Sequence, residues 1–272
     1  MKNSVSETLP IVNTEYVLYT RRKSNNKKII ITSLLGLLLV VGCSVALYRF
    51  HYDPSSSDSI ATSDNKDCPV QSFDYLLYVV RWAPSVCLEG PCVDNYPKDW
   101  LIHGLWPNFW DGSWPQFCCK SDEFDVNKVK SLEPQLESKW SNLLPGKSAS
   151  SLWAHEWDKH GTCSSENKQL VGEMGYFGST LSFYDKFAFK NWLLEAGIQP
   201  SDTTVLQESR VINALAKYIP NTIELHCEKA KGGNVPYLDS ISICIDKTSL
   251  SPIDCPKPKD TCKSGLILPK GQ

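Results

Sequence analysis

The chain is expected to form an α+β fold: an antiparallel β-sheet core with several flanking helices, stapled by disulfides and preceded by one transmembrane helix. Three observations lead there. Strand-like and helix-like stretches follow one another without the regular β-α-β alternation of a parallel sheet. Ten of the eleven cysteines lie beyond residue 67, an even set too rich for a reducing compartment, and none forms a C-x-x-C pair of the metal-binding kind. Ile29–Leu47, IIITSLLGLLLVVGCSVAL, runs 19 residues without a charge, long enough at about 1.5 Å per residue to span a bilayer.

Residues 1–28 are polar and close on a basic cluster of Arg21, Arg22, Lys23, Lys27 and Lys28, whereas only Arg49 follows the apolar run closely. That asymmetry makes 1–28 a cytosolic tail and 29–48 a transmembrane signal anchor, with the remainder across the membrane. The alternative is a signal peptide cleaved after Ala46, which would release a secreted protein, although both leader and apolar run are long for one. Residues 49–67, Ser/Asp-rich from Asp53 onward, read as a linker, and 68–272 as the globular domain.

Within that domain, Phe73–Trp82 (FDYLLYVVRW) is β-branched and aromatic and reads as a central strand. Ala83–Pro97 reads as a loop with Cys87 and Cys92 close enough for a local disulfide. Trp100–Leu105 reads as a short strand carrying His103, and Trp106–Cys119, with three Trp and an Asp-Gly, as an ordered surface loop. Helical spacing returns over Val126–Trp140, broken or kinked at Pro134. A helix over Leu152–Cys163 ends at Gly161, and further helices are expected over Leu181–Ala196 and Thr203–Tyr218. Ile223–Lys229 and Ile241–Asp246 read as strands.

With 272 residues, 42% of them hydrophobic, the chain can bury a sizeable core. Seven of its 28 Lys and Arg and five of its 30 Asp and Glu precede residue 66, leaving 21 against 25 and a net charge of −4 beyond it. A broad basic surface for gathering nucleic acid is therefore excluded, and any such binding must be local to a cleft. No N-x-S/T acceptor occurs, so N-glycosylation is not expected.

The chemistry concentrates in Ser151–Cys163, SLWAHEWDKHGTC. At roughly 100° per residue, His155, Glu156, Lys159 and His160 fall at about 0°, 100°, 40° and 140° around a helix. Two imidazoles, a carboxylate and an ammonium thus share one side of the rod. The H-E-x-x-H zinc motif needs histidines four apart on one face; here they are five apart and turned well away from each other, which argues against a metal site. Proton transfer by histidine beside fixed positive charge fits better. A second histidine motif stands upstream in Leu101–Asn108, LIHGLWPN, which carries His103.

HGLWP followed about fifty residues later by HEWDKHGTC resembles the two active-site motifs of the ribonuclease T2 family, acid endoribonucleases of secreted and of lysosomal or vacuolar compartments. The resemblance spans roughly Phe73 to Leu268. It implies a catalytic domain over 68–272 that cleaves single-stranded RNA by metal-free transesterification through a 2′,3′-cyclic phosphate, with no cofactor. It implies His160 as base, His103 as acid, His155 as phosphate holder, and Lys159 and Glu156 as transition-state stabilisers. Trp106, Asn108 and Trp114 occupy positions that line one base site in the family. Arg81-Trp82-Ala83 stands where Gln-Trp-Pro is common, and Leu152 where an aromatic is common, so no base preference is expected. DNA, lacking the 2′-OH, should bind weakly and remain uncut. The implied disulfides are Cys87–Cys92, Cys118–Cys163, Cys227–Cys262 and Cys244–Cys255, with Cys68 and Cys119 left to pair. A monomer is expected, anchored to the membrane through 29–47, with its catalytic domain in the lumen of the endomembrane system or outside the cell. The alternative is a catalytically silent RNA-binding or signalling protein on the same fold.

Overall fold

Tyr75–Trp82 (β1) alternates as a strand with a dry face should: Leu76, Tyr78, Val80 and Trp82 are fully buried, while Leu77 and Arg81 on the other face are only partly so. In the computed structural model, which describes residues 68–229, 235–256, 258 and 261–271, β1 is central. It pairs antiparallel with Trp100–Asn108 (β2) on one side and Tyr237–Asp246 (β5) on the other. Strand β2 runs to Asn108, three residues beyond the expected end, because the ladder continues through Trp106, Pro107 and Asn108 opposite Leu77, Leu76 and Tyr75. Strand β5, buried along nearly its whole length, also pairs antiparallel with Glu224–Glu228 (β4) and Pro252–Ile253 (β6).

The sheet is mixed rather than purely antiparallel. Leu266–Leu268 (β7) joins β5 in parallel at Tyr237, and Ser201–Leu206 (β3) pairs with β7. The three-residue β7 meets β5 at one residue pair, Tyr237 and Ile267, beside which the Ile267 N–H donates to the Pro236 carbonyl at 2.9 Å. A pairing so short leaves no periodicity in the sequence.

Six helices flank the sheet among the described residues. Ala83–Glu89 (α1) is a helix, not a loop: Pro84 lies in its first turn, where a missing N–H costs nothing. For the same reason Pro134 opens Glu133–Lys139 (α2) instead of kinking a longer helix, and Val126–Val129 before it is a separate 3-10 turn capped by Asp125. Ala149–Lys159 (α3) starts earlier than expected because the Ser148 hydroxyl accepts from the Ser151 N–H at 3.2 Å. The single helix expected over 181–196 is two, Gly172–Lys186 (α4) and Phe189–Glu195 (α5); the break at Phe187 lets Phe183, Phe187 and Phe189 all turn into the core. The helix expected from Thr203 begins only at Glu208 (α6, Glu208–Leu215), since Thr203, Thr204 and Val205 take the extended form β-branched residues favour.

Trp82, Tyr78, Trp140, Trp153, Tyr176 and Phe177 are the bulk of one continuous core. Five disulfides close around it: Cys68–Cys119, Cys87–Cys92, Cys118–Cys163, Cys227–Cys262 and Cys244–Cys255. The tail, signal anchor and linker expected over residues 1–67 lie outside the described residues. Among those described, no helix is long and apolar enough to cross a membrane.

Candidate active site

The site begins with an irregularity in β2. Val79 pairs with Gly104 but Val80 with Ile102, so His103 is an extra residue in a β-bulge. Along a regular strand, residues three apart point to opposite faces. The bulge removes that alternation and puts His103 and Trp106 in one cleft. Two aromatic donors hold the distorted backbone: the Trp140 indole N–H donates to the His103 carbonyl at 3.0 Å, and the Tyr176 hydroxyl to the Leu105 carbonyl at 2.9 Å.

Helix α3 brings the second half. Trp153 and Trp157, one turn apart, are buried, and their indoles donate to the carbonyls of Trp140 and Asp122 at 2.8 and 2.9 Å. That fixes the helix's rotation, so Glu156 is buried against β2 while His155 and Lys159 face the cleft. His160 does not continue the helix. It is the C-terminal cap (φ −121°, ψ −45°), and Gly161–Cys163 follows as a 3-10 turn. The helical angle expected for His160 is therefore corrected: its ring leaves the helix and stacks on Trp106, centroids 5.2 Å apart at 27°. Gly161 permits the turn, since a Cβ there would lie 2.4 Å from the Trp157 ring.

Trp106 is the hub. Its indole N–H donates to Glu156 Oε2 at 2.8 Å, one side of its ring meets His160, and the His103 ring meets it edge-on at 4.9 Å. The Trp106–Glu156 bond passes directly over Gly104, whose missing Cβ would fall 2.1 Å from the indole nitrogen and 2.3 Å from the carboxylate oxygen. No signal in the sequence singled out that role for Gly104. The loop after β2 is tied to the end of α3 by Cys118–Cys163 and by the Phe117 N–H on the Lys159 carbonyl at 3.0 Å.

Burial dominates the electrostatics. It lowers His103 to about 4, helped by the Arg81 guanidinium and opposed by Asp239. It lowers His160 to about 3, helped by Lys159, His155 and His103. His155 is lowered too, by desolvation and by Lys159. Glu156 is raised to about 7 by burial, against the pull of the Trp106 N–H and of Lys159. Such a set can exchange protons on the acid side of neutrality and gains charge when an anion enters. Among the described residues no three His, Cys, Asp or Glu side chains are arranged to hold a metal ion.

The cleft, about 480 Å³, is lined by all eight residues expected at the site: His103, His155, Glu156, Lys159, His160, Trp106, Asn108 and Trp114. The Asn108 amide donates to the Trp106 carbonyl at 2.8 Å. Tyr75, Leu77 and Trp110 line it as well and were missed; Trp110 was visible only as one more Trp in a loop. Arg81 has its own setting. Its Nε donates to both Asp239 oxygens (3.1 and 3.0 Å) and its Nη2 to Asp239 (2.6 Å) and Glu89 (3.0 and 3.1 Å).

The Ribonuclease T2 family model matches residues 73–255. Ribonuclease DdI of Dictyostelium discoideum is 29% identical over 239 residues, 88% of this chain and 96% of its own. Ribonuclease T2 of Sus scrofa is 34% identical over 71% of this chain and 94% of its own. Among solved structures, RNase NT in complex with 5′-AMP superposes with a TM-score of 0.67 at 30% identity, over 73% of this chain and 99% of that one. Fold, cleft and matched span together place this chain in the ribonuclease T2 family.

Proposed function

We propose that the protein is an endoribonuclease that cleaves single-stranded RNA in this cleft by metal-free transesterification with little base preference. His160 takes the proton of the ribose 2′-OH, whose oxygen bonds to the adjacent phosphorus. The P–O5′ bond breaks, and His103 gives its proton to the departing 5′-oxygen, leaving a 2′,3′-cyclic phosphate and a free 5′-OH. Burial lowers both imidazoles below their ordinary value. His155 holds the phosphate, while Lys159 and Glu156 meet the charge that builds on its oxygens. Trp106 and Trp114 offer stacking faces, which every base can use. The observation that carries the reading is the position of Trp106, bonded to Glu156 and flanked by both imidazoles within 5.2 Å. We place the enzyme as a monomer anchored through residues 29–47, its catalytic domain in the endomembrane lumen or outside the cell, or secreted if that segment is cleaved.

The test is incubation with RNA and single-stranded DNA at about pH 5 with EDTA present, followed by analysis of product ends. RNA cut to 2′,3′-cyclic phosphates with DNA intact is the expected result; loss of activity to EDTA and recovery with zinc would reject the metal-free route. His103→Phe and His160→Phe should each lose roughly 10²–10⁴-fold in rate. A variant retaining more than about a tenth removes that histidine from its role.

A further inference from the structure

Trp110 is 48% exposed although it sits in a well-pinned loop and lines the same cleft. One face of its ring stacks on Tyr75, centroids 4.9 Å apart at 26°. Tyr75 is itself buried and backed by the Cys244–Cys255 disulfide. The loop has little freedom: the Trp110 N–H donates to Asp74 at 2.8 Å, the Phe109 and Gly112 N–H groups donate to the carbonyls of Ser113 and Phe109 at 2.9 and 3.0 Å, and the Ser113 backbone and hydroxyl both donate to Asp111. The result is a rigid indole with one face packed and the other open to the cleft. That leaves an aromatic ring face in the cleft that a planar ligand can cover.

Register tells what would. Along β1, Val79 faces Gly104 beside His103, Leu77 faces Trp106, and Tyr75 faces Asn108. Passing from Val79 to Tyr75 covers about 13 Å at ~3.3 Å per residue, away from the imidazoles, past Trp106, to Tyr75 level with Asn108 at the far edge of the first base site, where the Tyr75–Trp110 stack stands. We propose that Trp110, backed by Tyr75, is a stacking platform for one further nucleobase of single-stranded RNA, beyond the base held at Trp106, Asn108 and Trp114. The inference rests on the reading of the cleft as an RNA site. An open indole face accepts any base, and a platform fixed in advance loses little entropy when the base arrives.

The experiment compares a dinucleotide, too short to reach Trp110, with a pentanucleotide, using the wild-type chain, Trp110→Ala and Trp110→Phe. Trp110→Ala should lower kcat/KM about tenfold more on the pentanucleotide than on the dinucleotide, and Trp110→Phe should recover most of that difference. The same contrast should appear in the Kd of an all-deoxy pentanucleotide, which is bound without being cut. Equal losses on both lengths would make Trp110 part of the first base site or of the fold, and no loss on either would leave it without a ligand; both overturn the proposal. Failure of the wild type to cleave either substrate would count against the ribonuclease reading instead, while the deoxy binding contrast would still decide the role of Trp110.

Discussion

His103, His160 and Glu156 share one property: burial disfavours the charged form of each. For the two histidines this moves proton exchange below the ordinary value near 6.5. On the proposed roles, His160 as base must be neutral, which holds above about 3, and His103 as acid must be protonated, which holds below about 4. The free enzyme is therefore matched to acid conditions. A bound phosphate places negative charge beside both rings and raises both values. Since kcat/KM reports the free enzyme and kcat the complex, kcat/KM on a dinucleotide should peak at lower pH than kcat, and both should fall off toward alkali. Coincident optima near 6.5 would mean that the rings are not desolvated as placed. The same residues show the reach of motif reading. HGLWP and HEWDKHGTC named the ionisable groups, but nothing in them announced that Trp106 would hold Glu156 and touch both imidazoles.

At the scale of elements, the site depends on a bulged strand meeting a helix end. Helical spacing was sufficient to place His155, Glu156 and Lys159 on one rod. It failed for His160, because a helix ends where backbone hydrogen bonds and packing allow, and Gly161 lets the chain turn against Trp157. The bulge at His103 was equally hidden, since it appears only when β2 is laid against β1. Gly104 is the most exposed point of this arrangement to substitution. Gly104→Ala directs a methyl into the Trp106–Glu156 bond rather than into the core. Cleavage should drop about 10²–10³-fold, as when one aimed transition-state group is lost, while the near-ultraviolet circular dichroism of the folded protein is kept. Near wild-type activity would show that the bond can form with the strand displaced.

For the whole molecule, the domain carries net negative charge, so on the proposed function attraction for a polyanion is confined to a cleft that gathers Lys159 with His103, His155 and His160. This couples pH to stability. A histidine whose folded value is depressed contributes stability above the unfolded value near 6.5 and loses it as pH falls through the window down to about 4 for His103 and about 3 for His160. Glu156, raised to about 7, works the other way: it favours the folded state as pH falls from about 7 toward 4.5. His155 is depressed as well, so three groups oppose one; the ligand-free site should destabilise the fold on acidification, and an anion that draws protons onto the histidines should reverse this. A nucleoside 5′-monophosphate should accordingly raise Tm more at about pH 5 than at about pH 7.5. An equal rise at both would exclude proton uptake on binding.

What the sequence by itself determined was chemical: a disulfide-stapled domain from cysteine parity, an α+β class from the order of patterned stretches, and the ionisable and aromatic side chains that gather in one cleft. These are legible because composition, periodicity and short motifs are properties of neighbours along the chain. Tertiary structure alone decided the parallel entry of β7, the bulge that turns His103 into the cleft, the departure of His160 from its helix, the need for glycine at 104, and the Tyr75–Trp110 stack. Each of these is a meeting of segments distant in sequence, fixed by packing and by hydrogen bonds such as Trp140 to the His103 carbonyl and Tyr176 to the Leu105 carbonyl, and no local pattern encodes the position of a partner that the fold has yet to bring into contact.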